Sequence, residues 1–413
     1  MQVFTYRSAG QWEKTRPPGE NGEPVSDPAL DEIQRSLSDC FRCNNLVVLT
    51  GLGTSLHVNV DADKRAEGRK PVEGKRLAPT MWDLWSKVRD VTGDDFERVL
   101  ALSRLPEDEQ RKGNIEALLS HCKIAAEFLA DQDGRETVRR FIHTAESTVR
   151  DAVRFLEPDD NVAVHADFLR RLSRRSPRKM RSKLFTTNYD LCFEYAARKG
   201  RYVVIDGFSH ASPQVFDSLY FTYDIVRRDS NPDSHDFISN VFLLYKLHGS
   251  IDWMRNPATN EIEKRPDCDS PLLVYPRNTK YELAFEQPYF EMMSSLQAAL
   301  RQPDTGLLIL GFGFNDNHIA EPILSAINSN LGLKVAVCDP GLAPRTDDPK
   351  KAGIDATNVH LKKIRYLIEH GDARLALISA TFEEIVPHLP DIAAETDLEQ
   401  HLERVRRLRG EKA

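Results

Sequence analysis

Short apolar runs punctuate the chain, and each stops in small or polar residues. Leu46-Val-Val-Leu49 leads into Thr50-Gly-Leu-Gly-Thr-Ser55. Leu184, Phe185, Thr186 and Thr187, all strand formers, lead into Asn188-Tyr-Asp190, and an apolar run from Phe242 ends in His248-Gly-Ser250. Further on, Leu307-Leu-Ile-Leu310 meets Gly311-Phe-Gly-Phe-Asn-Asp316, and Val335-Ala-Val-Cys338 meets Asp339. Apolar runs of this length between turn residues predict strands buried on both faces. Tyr202-Val-Val-Ile205 and Leu272-Leu-Val-Tyr275 read as shorter strands, and the alternation of aromatic and polar residues over 206–250 as further β structure.

The period changes between the first two long runs. Met81, Trp82 and Trp85, then Ile115, Leu118, Leu119, Cys122 and Ala126, then Val138, Phe141, Ile142 and Ala145, then Phe168, Leu169 and Leu172 recur at helical spacing. A helical subdomain inserted between the first and second strands accounts for this. Shorter helices are predicted around Ile33, Leu37 and Phe41, and over 193–199, 285–300, 318–327 and 382–389. Residues 1–40 read as a turn-rich arm with a lead-in helix, 41–82 as the first part of the sheet domain and 83–182 as the insertion. Residues 183–390 complete the sheet domain, and 391–413, with Leu398, Leu402, Val405 and Leu408 on one face, form a terminal amphipathic helix. Strands alternating with helices in this way make an α/β fold, a parallel sheet with helices on both faces.

A chain of 413 residues has ample length for such a core. Its formal charge of -7 excludes the global cationic field of a nucleic-acid binder. The local exception runs from Arg170 to Lys183; without interleaved aromatics it reads as a solvated helix end and loop, so contact with nucleic acid is at most indirect. The six cysteines include one CxxC pair, Cys40 and Cys43. The N-terminal residues lack a signal-peptide core, and no apolar run nears the roughly 18 residues of a membrane span. A soluble cytoplasmic protein with reduced thiols is expected.

Candidate chemistry gathers where the strands end, the edge at which open α/β sheets hold ligands. Gly51 and Gly53 permit a tight turn and close approach of a phosphate, with Thr54 or Ser55 placed to cap a following helix. Asn188 and Asp190 bring an amide and a carboxylate, and His248 an imidazole. Gly311 and Gly313 form a second glycine turn, after which Asn315 or Asp316 is placed to cap the next helix. Asp339 stands where it can accept from a ribose hydroxyl or cap a turn before Pro340.

The ordered set Gly51-Leu-Gly-Thr-Ser55, Thr186-Thr-Asn-Tyr-Asp190, Lys246-Leu-His-Gly249 and Gly311-Phe-Gly-Phe-Asn-Asp316 resembles the sirtuin-like superfamily, and more closely its prokaryotic antiviral-defence branch that depletes NAD. The resemblance spans roughly residues 40–390 and implies a Rossmann-like domain with NAD+ as substrate. By it, the first glycine turn, with Thr54 and Ser55, meets the pyrophosphate, and Asn188 holds the nicotinamide-side ribose. His248 is then the general base, and the turn of Gly311, Gly313 and Asn315 lines the adenosine side. Thr187, Asp190 and Asp339 complete the implied NAD contacts. Deacylases of the family carry two CxxC pairs for a structural zinc after the catalytic histidine; here residues 250–271 hold only Cys268, so no metal is expected. The family's Gly-Ile-Pro-Asp-Phe-Arg is also missing, with Ala78-Pro-Thr-Met-Trp82 standing in its place after a charge- and glycine-rich surface loop from Asp61 to Lys75. The implied activity is NAD+ glycohydrolysis in anti-phage defence. NAD-dependent deacylation and a non-catalytic NAD- or ADP-ribose-binding subunit are the alternatives. The resemblance further implies a homo-oligomer controlled by a HerA-like ATPase partner.

Overall fold

The computed structural model describes residues 1–17, 26–175, 179–228, 235–266, 268, 271–272, 287–344 and 353–391. The predicted terminal helix and most of the predicted strand at 272–275 lie outside these residues. In chain order the strands begin with β1 (Gln2–Phe4), β2 (Glu13–Lys14), β3 (Asn45–Thr50), β4 (Lys183–Thr186) and β5 (Val203–Ile205). They continue with β6 (Gln214–Val215), β7 (Val226–Arg228), β8 (His235–Phe237), β9 (Val241–Lys246), β10 (Trp253–Arg255) and β11 (Ile262–Lys264). The last are β12 (Thr305–Leu310), β13 (Leu333–Cys338) and β14 (Leu375–Ser379).

Nine of them form one sheet in the order β2-β1-β14-β13-β12-β3-β4-β9-β5. From β14 to β5 every neighbouring pair is parallel. The fold is therefore the expected α/β architecture, a Rossmann-like parallel sheet with helices on both faces. Side chains alternate between two cores, as the two-residue period of a strand requires. Val47, Leu49, Leu307, Ile309, Val335 and Val337 point to one. Leu46, Val48, Leu308, Leu310, Ala336 and Cys338 point to the other.

The second face is covered by α1 (Pro28–Arg42), which starts on an Asp27 cap accepting from Ala29 N and Leu30 N. Five helices follow β3: α2 (Met81–Thr92), α3 (Asp94–Ser103), α4 (Glu107–Lys112), α5 (Ile115–Phe128) and α6 (Gln132–Val153). Side-chain caps start three of them, through Thr80 with Asp83, Asn114 and Asp131. Together they bury a core of their own, including Trp85, Phe96, Leu118, Leu119, Val138 and Phe141. Tyr189 and Ile251, from the loops after β4 and β9, belong to that same core.

The next helix, α7 (Ala163–Ser173), falls within the stretch that spacing assigns to the insertion, yet its Phe168, Leu169 and Leu172 pack on the sheet beside α8 (Cys192–Gly200). The opposite face carries α9 (Tyr289–Arg301), α10 (Asn317–Ser329) and, after the short α11 (Ile354–Thr357), α12 (Val359–Glu369). A last short helix, α13 (Phe382–Ile385), returns to the face of α1. Among the described residues no helix is long and apolar enough to cross a membrane.

Three expectations change. The N-terminal residues are not all arm: Val3 and Phe4 are buried where β1 pairs antiparallel with β14. A three-residue strand leaves no periodicity to detect. No α-helix starts directly from the first glycine turn; a 3-10 turn at Leu52–Thr54 takes its place, and α2 begins only at Met81. The basic stretch is largely spent inside the molecule. Arg170 and Arg174 pair with Asp391, Arg181 pairs with Asp224, and the buried Arg175 guanidinium donates to the Phe41, Cys43 and Asn44 carbonyls.

Candidate active site

The strand order reverses at β3, whose successor β4 lies on one side and β12 on the other. At this switch point the two glycine turns pack backbone to backbone. A Cβ on Gly53 would lie 2.6 Å from the Gly311 Cα, and one on Gly51 2.7 Å from the Gly311 carbonyl oxygen. Gly311 itself has a φ of +59°, which favours glycine. Gly51 N donates to the Leu310 carbonyl and Gly53 N to the Gly311 carbonyl, each at 3.1 Å. Thr54 N and Ser55 N donate to the carbonyls of Gly51 and Leu52. These glycines thus serve close packing of the two turns, and the amides of Gly51, Gly53, Thr54 and Ser55 have acceptors within the protein.

The hydroxyls of this turn also look inward. Thr54 Oγ1 donates to the Gly51 carbonyl at 2.9 Å, and Ser55 Oγ donates to Asp190 Oδ2 at 2.7 Å. Asn188 Nδ2 donates to both hydroxyls, at 3.2 Å to Thr54 and 2.9 Å to Ser55. Both amide hydrogens are thereby used, and no described residue donates to the Asn188 carbonyl oxygen. With both amide hydrogens engaged, Asn188 is held with its carbonyl oxygen as the group left to accept. Asp190 Oδ1 accepts from Cys192 N at 3.0 Å, so this carboxylate braces the loop. Below it, the buried Lys246 ammonium donates to the Asp190 carbonyl at 2.5 Å and to Glu194 Oε1 at 3.0 Å.

His248 comes to the same edge by register. Thr186 on β4 pairs with Lys246 on β9, and Asn188 and His248 each stand two residues beyond. Parallel neighbours lie about 4.8 Å apart. His248 is 3% exposed, and burial pushes its pKa down to about 4, so the imidazole is neutral at pH 7. Its Nε2 lies 3.1 Å from the Nε2 of His318, the rings stacked at 5.2 Å between centroids. Gly249 follows with a φ of +85° and a Cβ position 2.1 Å from the Leu272 carbonyl oxygen, so the turn carrying His248 accepts no side chain there.

His318 and Glu116 were not singled out by their sequence positions. His318 opens to solvent near the start of α10, following Asp316, which stands at the cap position without a side-chain cap bond. Desolvation of the ring on its protein-facing side, and then the facing His248, lower the His318 pKa to about 4, while Asp316 opposes them. Glu116, on α5 of the insertion, accepts from the Tyr189 hydroxyl at 2.8 Å. Burial and the nearby Asp316 raise the Glu116 pKa against the pull of Tyr189, and burial raises that of Asp316. The insertion thus supplies a side chain to the site, joined to the residue after Asn188.

The remaining expected positions are less convergent. Thr187 N donates to the Thr50 carbonyl. Asn315 is exposed, its Nδ2 3.1 Å from where a Gly313 Cβ would stand. Asp339 Oδ1 accepts from Gly341 N at 2.8 Å, closing the turn at Pro340. The turn at 311–316, implied to line an adenosine, leads directly into the helix that sets His318 against His248.

Residues 182–350 match the family model of the SIR2-like domain. No curated protein matches the chain. Among solved structures, two mutants of a Sir2 homologue in complex with ADP-ribose align over 91% of this chain and 98% of theirs, at 13% identity and a TM-score of 0.38. Over the segment that carries Asn188, His248 and His318, the chain is therefore similar to SIR2-like domains.

Proposed function

We propose that the protein is an NAD+ hydrolase that cleaves the nicotinamide–ribose bond. The observation that carries this reading is the convergence of an acceptor-only Asn188 with a buried, neutral His248 on adjacent parallel strands at the switch point of the sheet. The SIR2-like match over the same residues supports NAD as the ligand.

The leaving nicotinamide is already cationic in NAD+, so the transition state is an oxocarbenium-like sugar that needs orientation and a water more than an acid. The Asn188 carbonyl oxygen accepts from that water or from a ribose hydroxyl and fixes its position. The neutral His248 takes the proton as the water oxygen bonds to C1′, and the electron pair of the C1′–N bond leaves with nicotinamide. NAD+ and water thus give ADP-ribose, nicotinamide and one proton. General base catalysis of this kind contributes about 10²- to 10⁴-fold. In the cell the reaction would deplete NAD during phage infection. The working assembly would be a homo-oligomer held quiet or activated by a HerA-like ATPase, as the ordered motifs suggest.

The test is NAD+ consumption and nicotinamide release by the purified chain, alone and with the ATPase, beside His248→Ala and Asn188→Ala. Turnover without any acylated peptide, lost in both variants, is the expected outcome. NAD+ binding without turnover in either preparation would replace hydrolysis with a binding role.

A further inference from the structure

We infer that His318 is the proton-accepting partner of His248, carrying away through an Nε2-to-Nε2 hydrogen bond the proton that hydrolysis leaves on the buried imidazole. This rests on the hydrolase reading given above. That reaction yields one proton per turnover, and its base is 3% exposed.

The geometry assigns the atoms. Two imidazole nitrogens 3.1 Å apart can bond only if one carries hydrogen and the other does not. No described group bonds the His248 Nδ1, so Nδ1 is left to face the water and Nε2 faces the exit. In the resting state His248 holds its hydrogen on Nε2 and donates it to the His318 Nε2. When Nδ1 takes the water proton, the Nε2 hydrogen passes to His318 Nε2, whose Nδ1 hydrogen leaves to solvent. One proton enters the pair and one departs, and His248 is left with its hydrogen on Nδ1. After product release, with the site open to water, His248 Nδ1 gives its hydrogen to that water, His318 Nε2 returns one to His248 Nε2 and His318 Nδ1 takes one from solvent. The relay thus clears the charge during the chemical step and resets between turnovers.

The surroundings suit such a relay. His318 is open to solvent where His248 is not. Its position in the first turn of α10 disfavours a lasting positive charge, whereas Asp316 favours a transient one. Among the described residues the titratable groups near the pair are Asp316 ahead of α10, Tyr189 from the loop after β4 and, beside Asp316, Glu116 from α5. None of these three is a fixed cation that would repel a proton arriving on His318.

His318 acts through His248, and its test needs readouts that packing alone would not move. Turnover of the full chain, with its ATPase if required, is measured from pH 5 to 9 for wild type, His318→Ala and His318→Gln, with and without added imidazole. The expected result is a kcat lower by roughly 10- to 100-fold in both variants, less than loss of a whole general base. KM stays near wild type, and free imidazole restores turnover to His318→Ala but not to His248→Ala. An unchanged kcat and pH profile, or a loss that imidazole leaves untouched, overturns the relay. If the wild type consumes no NAD+, it is the hydrolase reading that has failed. Long-range ¹H–¹⁵N spectra of the histidines then decide on the contact itself. A single His248 tautomer in wild type that becomes mixed in His318→Gln supports it, and identical His248 signals in both refute it.

Discussion

Two histidine pairs stack in this molecule with the same spacing and very different chemistry. His248 and His318 lie 5.2 Å apart between centroids at 29°, and His57 and His165 lie 5.2 Å apart at 22°. The first pair stands at the carboxyl edge of the sheet with one ring buried, one ring open and two nitrogens in register. The second is walled by Phe382 at 5.1 Å and Phe193 at 5.0 Å from His165, behind the first glycine turn. His165 is fully buried, and neither ring nitrogen has a hydrogen-bond partner among the described residues. Burial alone therefore does not make a catalytic histidine. A hydrogen-bonded way out of the buried ring distinguishes the two: His248 meets His318 through Nε2, whereas neither nitrogen of His165 meets an acceptor or donor among the described residues.

The widest separation between the pairs should appear in activity. Replacing His248 by Phe is expected to reduce NAD+ turnover by about 10²- to 10⁴-fold, whereas His165→Phe leaves it within a few-fold of wild type. Steady-state rates of the two variants, with folding checked by thermal melts, make the comparison. Equal losses in both would show that stacked histidines act through packing here and would remove the distinction.

Much of this was legible along the chain because local rules set it. The apolar runs at 45–50, 183–186, 305–310 and 333–338 form the middle of the sheet, and Asn188 and His248 could be found by standing just past such runs. The partners of those residues could not. Glu116 precedes Tyr189 by 73 positions and His318 follows His248 by 70, and nothing in the helical spacing around either residue marks it as facing a site. The glycines have a further role for a related reason. Gly51 and Gly53 permit the approach of a phosphate, but together with Gly311 they are also required by the backbone contact between the two turns, visible only when β3 and β12 lie side by side. The basic stretch from Arg170 to Lys183 likewise looks solvated until its arginines meet Asp391, Asp224 and the carbonyls at the end of α1.

Stability against acid should separate the pairs next. Burial holds the His165 pKa well below the ordinary value, with His57 adding to the effect. A depressed folded pKa means that the unfolded chain binds more protons as the pH drops below about 6.5, so the folded state loses ground on that side. His165→Phe removes this term. Its unfolding free energy should fall less between pH 8 and pH 5 than that of wild type, by up to about 2 kcal/mol. Denaturant melts at the two pH values measure the difference, and parallel slopes for the two proteins would mean that His165 is protonated in the fold.

The smallest effect concerns the acid side chains beside the open pair, and it runs in the opposite direction. Burial and the neighbouring Asp316 raise the Glu116 pKa, while the Tyr189 hydroxyl pulls it down. A carboxyl whose folded pKa lies above its unfolded one favours the fold at low pH, and that advantage is lost as the pH rises through the folded value. Wild type should therefore lose stability between pH 5 and pH 9 at this position. Glu116→Gln keeps an oxygen for the Tyr189 hydroxyl yet cannot ionise, so its stability should change less over the same range. Because Glu116 is only half-buried, the difference is expected to be about 1 kcal/mol. Melts at both pH values would read it directly. Since α5 belongs to the insertion and Tyr189 to the loop of Asn188, a matching change in the alkaline limb of the rate profile would show that the inserted helices set the protonation of the site they cover. A flat response in both measurements would reduce Glu116 to a brace for Tyr189.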